Sequence, residues 1–118
     1  MTISIPADAA YINVLRSTVA NICARSSFTL EEIEDLRIAV SEAATLLLPL
    51  ADTITCTMES LADEVVVACY CTSSNGPRRD FDDLPWVLLE ALVDELSSVV
   101  TETGVEIRLR KKRATRTP

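Results

Sequence analysis

Residues 38–50 (IAVSEAATLLLPL) place a single carboxylate, that of Glu42, inside a mostly aliphatic stretch. A glutamate at the edge of an apolar core can serve as a general base, because burial and neighbouring charges tune its pKa. Leu46, one helical turn later, offers no atom that could ligate a metal ion. The stretch therefore has two interpretations, a catalytic base without its partners or a polar residue beside the core, and we favour the second.

The four cysteines form the other group of residues that could do chemistry. Cys69 and Cys71 are two residues apart on a predicted strand and so share one face, and Cys56 falls on the strand predicted before it. A zinc site would need closer ligand pairs, and Cys23 would have to converge with the others because the chain has no histidine. We predict buried structural thiols and no metal site, with a redox switch as the alternative.

Missing residue types exclude most enzyme classes. With no histidine, the chain cannot build Ser-His-Asp or Cys-His nucleophile systems, HExxH zinc sites or a histidine phosphorelay. Two glycines, Gly76 and Gly104, are too few for a glycine-rich phosphate loop. The apolar runs are too short to span a membrane and no signal peptide is visible, so we expect a cytoplasmic domain without membrane contact.

Charge is distributed unevenly along the chain. Residues 1–107 hold 5 basic and 18 acidic side chains, a net charge of −13, whereas the last eleven residues hold 6 basic and no acidic ones. An acidic body disfavours direct nucleic-acid binding, which depends on phosphate neutralisation, and suits a basic protein partner. We expect one domain over 1–113 followed by a flexible basic tail at 114–118.

Hydrophobic periodicity predicts three helices and five strands. Thr29 and Glu32 have capping-box spacing at the start of the second helix, which ends at Pro49. The other helices are predicted at 8–24 and 84–98, and the strands at 2–5, 53–59, 64–71, 99–103 and 105–110. This order predicts an α+β two-layer sandwich, with the helices on one face of a mixed or antiparallel sheet.

The second predicted helix carries DLRIAVSEA at 35–43, which resembles the anti-sigma-factor serine kinases of bacterial partner-switching systems. These are the RsbW-type proteins of the GHKL ATPase superfamily. Residues 86–96 are similar to the segment after the family's second glycine box, 104–109 to its last strand, and 13–20 to its opening helix. The resemblance covers nearly the whole chain, in order, and implies the GHKL (Bergerat-like) fold.

The resemblance also implies where family members hold their catalytic groups. A glutamate activates the target serine, and an asparagine four residues later binds the Mg²⁺ carried by ATP. Glu42 matches the glutamate, but Leu46 stands in the asparagine position. The Asp-x-Gly box that reads adenine falls on Cys69 and Cys71, and a thiol cannot replace that carboxylate as an acceptor.

The family's next glycine box falls near Asp83 and Pro85. An aspartate would repel phosphate groups there, and a proline has no N–H to offer them. The segment that matches the family's ATP lid is also short, at 72–83. From these departures we predict no ATP or Mg²⁺ cofactor and no enzymatic activity, with Glu42 as the remnant of a base.

The resemblance implies a function in transcription regulation. We predict an anti-sigma factor that binds and sequesters an alternative RNA polymerase sigma factor and is released by an anti-anti-sigma (STAS-domain) protein. Homodimerisation is an expectation from the same resemblance. Arg16 matches the arginine that contacts the sigma factor in the family, and Asn13 and Ser17 lie beside it. The alternatives are an active serine kinase with Glu42 as base, and a scaffold for a partner other than a sigma factor.

Overall fold

The computed structural model describes residues 1–25, 28–72 and 84–113. Three α-helices cover Ile12–Ala24 (α1), Leu30–Leu47 (α2) and Leu84–Leu92 (α3). Five strands cover Thr2–Pro6 (β1), Thr53–Ser60 (β2), Glu64–Thr72 (β3), Glu95–Val100 (β4) and Gly104–Lys112 (β5). Short 3₁₀ turns precede α1 and follow α2.

The strands form one antiparallel sheet in the order β1-β2-β3-β5-β4. The last strand, β5, therefore lies inside the sheet, between β3 and β4, and β1 and β4 are the two edges. All four strand pairs are antiparallel. The predicted α+β architecture is therefore confirmed, and of the two predicted sheet types the sheet is antiparallel and not mixed.

Alternation along the strands assigns one face of the sheet to the helices. From Ile54 to Met58 on β2, and along β3, every second side chain is buried, and the intervening ones are exposed or half-buried. The buried side chains of the sheet meet those of α1 and α2 in one core whose largest members include Leu15, Leu36, Leu47, Ile54 and Leu109. The core thus lies between two layers, one of helices and one of sheet.

Helix α2 begins with the capping box predicted from the sequence. The Glu32 N–H donates to Thr29 Oγ1 at 3.1 Å, and the Thr29 N–H donates to Glu32 Oε1 at 2.7 Å. These two bonds satisfy backbone donors that a helix start otherwise leaves unpaired. The cap fixes the register of α2 and hence which face presents Glu42.

The third helix is shorter than predicted, and the fourth strand begins earlier. The prediction carried helix through 98, but α3 ends at Leu92 and β4 begins at Glu95. The edge strand pairs with β5, with Leu96 opposite Leu109, so tertiary pairing overrides the local helical periodicity. Asp94 supports the change of direction, because its carboxylate accepts from the Lys112 N–H at 2.6 Å.

We expect Gly104→Ala to lower the free energy of unfolding by about 1–3 kcal/mol, because it overpacks a tight contact. A Cβ at this position would lie 2.3 Å from the carbonyl oxygen of Cys71 and 3.0 Å from the Tyr70 ring. Chemical denaturation measures the change. Thr103→Ala, at an exposed position of the same hairpin, is the matched control and should change stability by no more than about 0.5 kcal/mol.

Candidate functional site

Glu42, the candidate base, and Leu46, one helical turn later, both lie on α2. The Glu42 side chain is half-buried, and its carboxylate has no hydrogen-bond or ion-pair partner within the described ranges 1–25, 28–72 and 84–113. Leu46, four residues later and therefore on the same side of the helix, packs against the core. At the positions that match the family's base and magnesium ligand, α2 therefore carries a carboxylate, Glu42, and an aliphatic side chain, Leu46.

The cysteines at the positions matching the adenine box face the helical layer. Cys69 and Cys71 are both buried on the inner side of β3. The hydrogen bond with Cys56, together with burial and the Glu106 carboxylate, raises the pKa of Cys69 well above its ordinary value. Burial also raises the pKa of Cys71, against an opposing hydrogen bond from Val105. Both thiols are therefore protonated, neutral groups at neutral pH.

These residues do not match the side chains that bind Mg-ATP in the family that the sequence resembles. Leu46 supplies no oxygen for a magnesium ion, and the inward groups of β3 are neutral thiols instead of a carboxylate. Across the described part of the chain, no group of three or more cysteine, aspartate and glutamate side chains could hold a metal ion. Asp83 and the side chain of Pro85 lie outside the described residues.

Helix α3 is held against α2 by a lysine that sequence reasoning missed. Lys111 Nζ donates to the carbonyl oxygen of Leu92 at 2.9 Å and to Asp35 Oδ2 at 3.4 Å. A cation at the C-terminal end of a helix is favourable because unpaired carbonyl groups concentrate negative charge there. Alternation along β5 gives the signal for this role, since Lys111 falls on the same face as Ile107 and Leu109. Trp86, on α3, packs half-buried against the core.

The residues predicted to bind a partner lie together on α1. Asn13 and Ser17 are exposed, and Arg16 between them is half-buried. The Arg16 guanidinium makes one long contact, from Nη1 to Asn13 Oδ1 at 3.5 Å, and its Nε is buried without a partner in the part of the chain that the structure describes. Most of the hydrogen-bonding capacity of this arginine is therefore unused among the described residues.

Two large apolar side chains are exposed at the start of the same helix. Tyr11 is 45% exposed and Val14 is 41% exposed. Arginine and aromatic residues are both enriched at protein interfaces. We call Tyr11, Asn13, Val14, Arg16 and Ser17 the α1 surface.

Comparisons with known proteins identify relatives of this chain. The serine-protein kinase RsbW of Bacillus subtilis is 46% identical over 41 residues, which is 35% of this chain and 26% of that protein. The serine-protein kinase RsbW of Staphylococcus aureus is 29% identical over 132 aligned residues, which cover 91% of this chain and 82% of that protein. The matched segment spans about a quarter of the Bacillus protein. No family model matches the chain.

Solved structures show the same fold. The RsbU and RsbW domains of Rv1364c from Mycobacterium tuberculosis match 98% of this chain and 33% of that one, with a TM-score of 0.71 and 16% identity. The histidine kinase domain of the Erythrobacter litoralis EL346 blue-light activated histidine kinase matches 92% of this chain and 62% of that one, with a TM-score of 0.62 and 19% identity. No helix in the described ranges is both long and apolar enough to cross a membrane.

The comparisons correct one prediction and confirm another. The prediction that the chain is not an enzyme is wrong, because the relatives that share its sequence are named serine-protein kinases and point to an enzyme. The resemblance seen in the sequence is confirmed by these relatives and by the two structural matches. The chain is thus similar in sequence to RsbW serine-protein kinases, and it shares the fold of the RsbW and histidine kinase domains.

Proposed function

We propose that this protein is an anti-sigma factor that binds an alternative RNA polymerase sigma factor through the α1 surface. The observation that carries the proposal is the state of Arg16, whose guanidinium makes one long contact, to Asn13, within residues 1–25, 28–72 and 84–113. Arginine and aromatic side chains dominate the binding free energy of many protein interfaces. The RsbW-type resemblance assigns the sigma-factor contact to this same arginine.

The charge of the domain supports a basic partner. Residues 1–107 carry a net charge of −13. Sigma factors carry basic surfaces that bind nucleic acid, so an acidic domain attracts them over a distance and covers the surface that they use on DNA. Binding that masks this surface would prevent the sigma factor from directing transcription.

In this proposal a second protein releases the sigma factor. An anti-anti-sigma protein with a STAS domain would compete for the regulator and free the sigma factor. Such a cycle needs two mutually exclusive complexes of this protein, and a homodimer of the chain would offer one α1 surface on each subunit.

Purified components test the proposal. Each alternative sigma factor of the source organism is titrated with the protein by calorimetry, and run-off transcription from its promoter is measured in parallel. We expect one sigma factor to bind with a Kd below about 1 μM and to lose transcription in proportion. If none of them binds, the protein is a scaffold for another partner and the proposal is wrong.

A second candidate function is serine phosphorylation of the STAS-domain partner, with Glu42 as the base. Relatives of this chain are named serine-protein kinases, and Glu42 is half-buried with no hydrogen-bond or ion-pair partner in the described ranges. Leu46 and the neutral cysteines do not supply the family's nucleotide ligands. The relatives therefore favour kinase activity, whereas the residues at these positions disfavour nucleotide binding. A direct assay separates them.

We expect Glu42→Gln to lower the rate of phosphate transfer to the STAS partner at least 100-fold, because a general base contributes about that much. Phosphoserine is measured by mass spectrometry after incubation with ATP and Mg²⁺. Glu31→Gln, at an exposed position in the first turn of the same helix, is the control and should leave the rate unchanged. No transfer by the unmodified protein would exclude the second function, and full activity of Glu42→Gln would exclude Glu42 as base.

A further inference from the structure

Two buried sulfur atoms lie within reach of one another in the centre of the sheet. The Cys56 thiol, on β2, and the Cys69 thiol, on β3, share a hydrogen bond with an Sγ–Sγ distance of 3.0 Å. All four cysteines lie in the described part of the chain, and this is the one sulfur–sulfur hydrogen bond among them. A disulfide bond is about 2.05 Å long, so the sulfurs need to approach by roughly one ångström to bond.

The register of the two strands suits such a bond. Cys56 is directly opposite Cys69. Closely and widely spaced pairs alternate along an antiparallel ladder, and the Leu61 N–H donates to the Glu64 carbonyl, which makes 61 and 64 a hydrogen-bonded pair. Counting back along the register makes Cys56 and Cys69 a pair without backbone hydrogen bonds to each other.

The neighbouring strand confirms that count. The Met58 N–H donates to the Met1 carbonyl, so the backbone groups of Met58 point toward β1 and away from β3. Cys56, two residues earlier, has the same orientation. In pairs of this kind the Cα atoms are about 4.5 Å apart and the side chains are closest, a separation inside the range that disulfides accept.

We propose that Cys56 and Cys69 form an oxidisable dithiol site that hydrogen peroxide converts to a disulfide within the folded protein. In the first step the sulfur of one cysteine attacks a peroxide oxygen, the O–O bond breaks, water leaves and a sulfenic acid forms. In the second step the other sulfur attacks the sulfenic sulfur, the S–O bond breaks, and a second water leaves as the S–S bond forms. The two thiols lose two electrons and two protons, and one peroxide becomes two molecules of water.

The other two cysteines lack a partner for the second step. Cys71 is opposite Ile54 on β2 and Val105 on β5, and Cys23 lies on α1. Burial raises the pKa of Cys23 to about 11, which keeps it protonated. Either sulfur of the Cys56–Cys69 pair can make the first attack, and the other then completes the bond. Because both side chains are fully buried, the reaction is slow and needs local opening of the helical layer.

Peptide mapping of the full chain tests the site. The protein is treated with hydrogen peroxide, remaining thiols are alkylated in denaturant, and the protein is digested with a protease that cleaves after glutamate. Cleavage at Glu59 and Glu64 puts Cys56 on one peptide and Cys69 with Cys71 on another, whereas trypsin leaves all three on one peptide. We expect a disulfide between these two peptides, and the same disulfide in Cys71→Ser and in Cys23→Ser.

Two results would overturn the proposal. One is loss of the disulfide in Cys71→Ser while that variant keeps its circular dichroism spectrum, since the bond would then involve Cys71. The other is an unmodified protein in which peroxide leaves Cys56 and Cys69 as alkylatable thiols or takes them to sulfinic acid. Cys69→Ser, which loses one of the two sulfurs, should lose the disulfide.

A stability measurement gives an independent readout. A disulfide that fits the native register restricts the unfolded chain, so we expect the oxidised protein to melt about 5–10 °C higher and to return to the original midpoint after dithiothreitol. A lower midpoint after oxidation would show that the folded register does not accept the bond.

Discussion

Arg16→Ala is expected to lower the affinity for the sigma factor by about 30-fold or more, the effect of removing a hot-spot side chain from an interface. The melting temperature should change little, because the guanidinium makes one long contact with the rest of the described chain, at 3.5 Å to Asn13. Calorimetry with the sigma factor that binds the unmodified protein measures the affinity, and thermal denaturation measures the stability.

Arg25→Ala provides the matched control for this prediction. Arg25 is exposed at the C-terminal end of the same helix, outside the α1 surface, and loses the same charge. If the two variants weaken binding equally, then net charge governs the interaction and Arg16 has no specific role. If Arg16→Ala binds as well as the unmodified protein, the α1 surface is not the interface.

Leu36→Ala should lower the free energy of unfolding by about 3–4 kcal/mol, because it removes buried methyl groups and leaves a cavity between the helices and the sheet. Leu36 is fully buried and belongs to the cluster that joins α1, α2 and the sheet. The loss is a large part of the total stability that a domain of this size usually has. Urea denaturation measures it.

Leu30→Ala is the control for the cavity. Leu30 lies in the first turn of the same helix and is 86% exposed, so the same deletion leaves no cavity there. We expect a change within about 0.5 kcal/mol. A loss at Leu36 no larger than the one at Leu30 would contradict the placement of Leu36 in the core.

The sequence predicts the second helix well and the third helix poorly, for a physical reason. The start of α2 depends on a local exchange of hydrogen bonds between Thr29 and Glu32, which the sequence contains in full. The end of α3 depends on β5, a strand that follows it. Leu96 packs against the core from the edge strand, and it would also face the core as part of a longer α3. The hydrophobic pattern alone therefore does not distinguish helix from strand at this position.

The candidate site shows the same division. The spacing of Cys69 and Cys71 predicts a shared face, and both are buried on that face. The direct opposition of Cys56 and Cys69 depends on the register that the turn between β2 and β3 imposes, a feature of backbone pairing. The contacts of Lys111 with Asp35 and Leu92 join three elements and follow from their packing, so composition and spacing do not reveal them.

The position of β5 inside the sheet has a consequence for the order of folding during synthesis. Helices α1 and α2 are neighbours in sequence and can pair early, and β1 must wait for β2, with Thr2 opposite Thr57. Strand β3 remains an open edge until the ribosome has made the residues through Lys112, its partner at Glu64. While residues 73–112 are being made, the nascent chain therefore carries a valine-rich strand with one open edge, a period in which chaperone binding would protect it from aggregation.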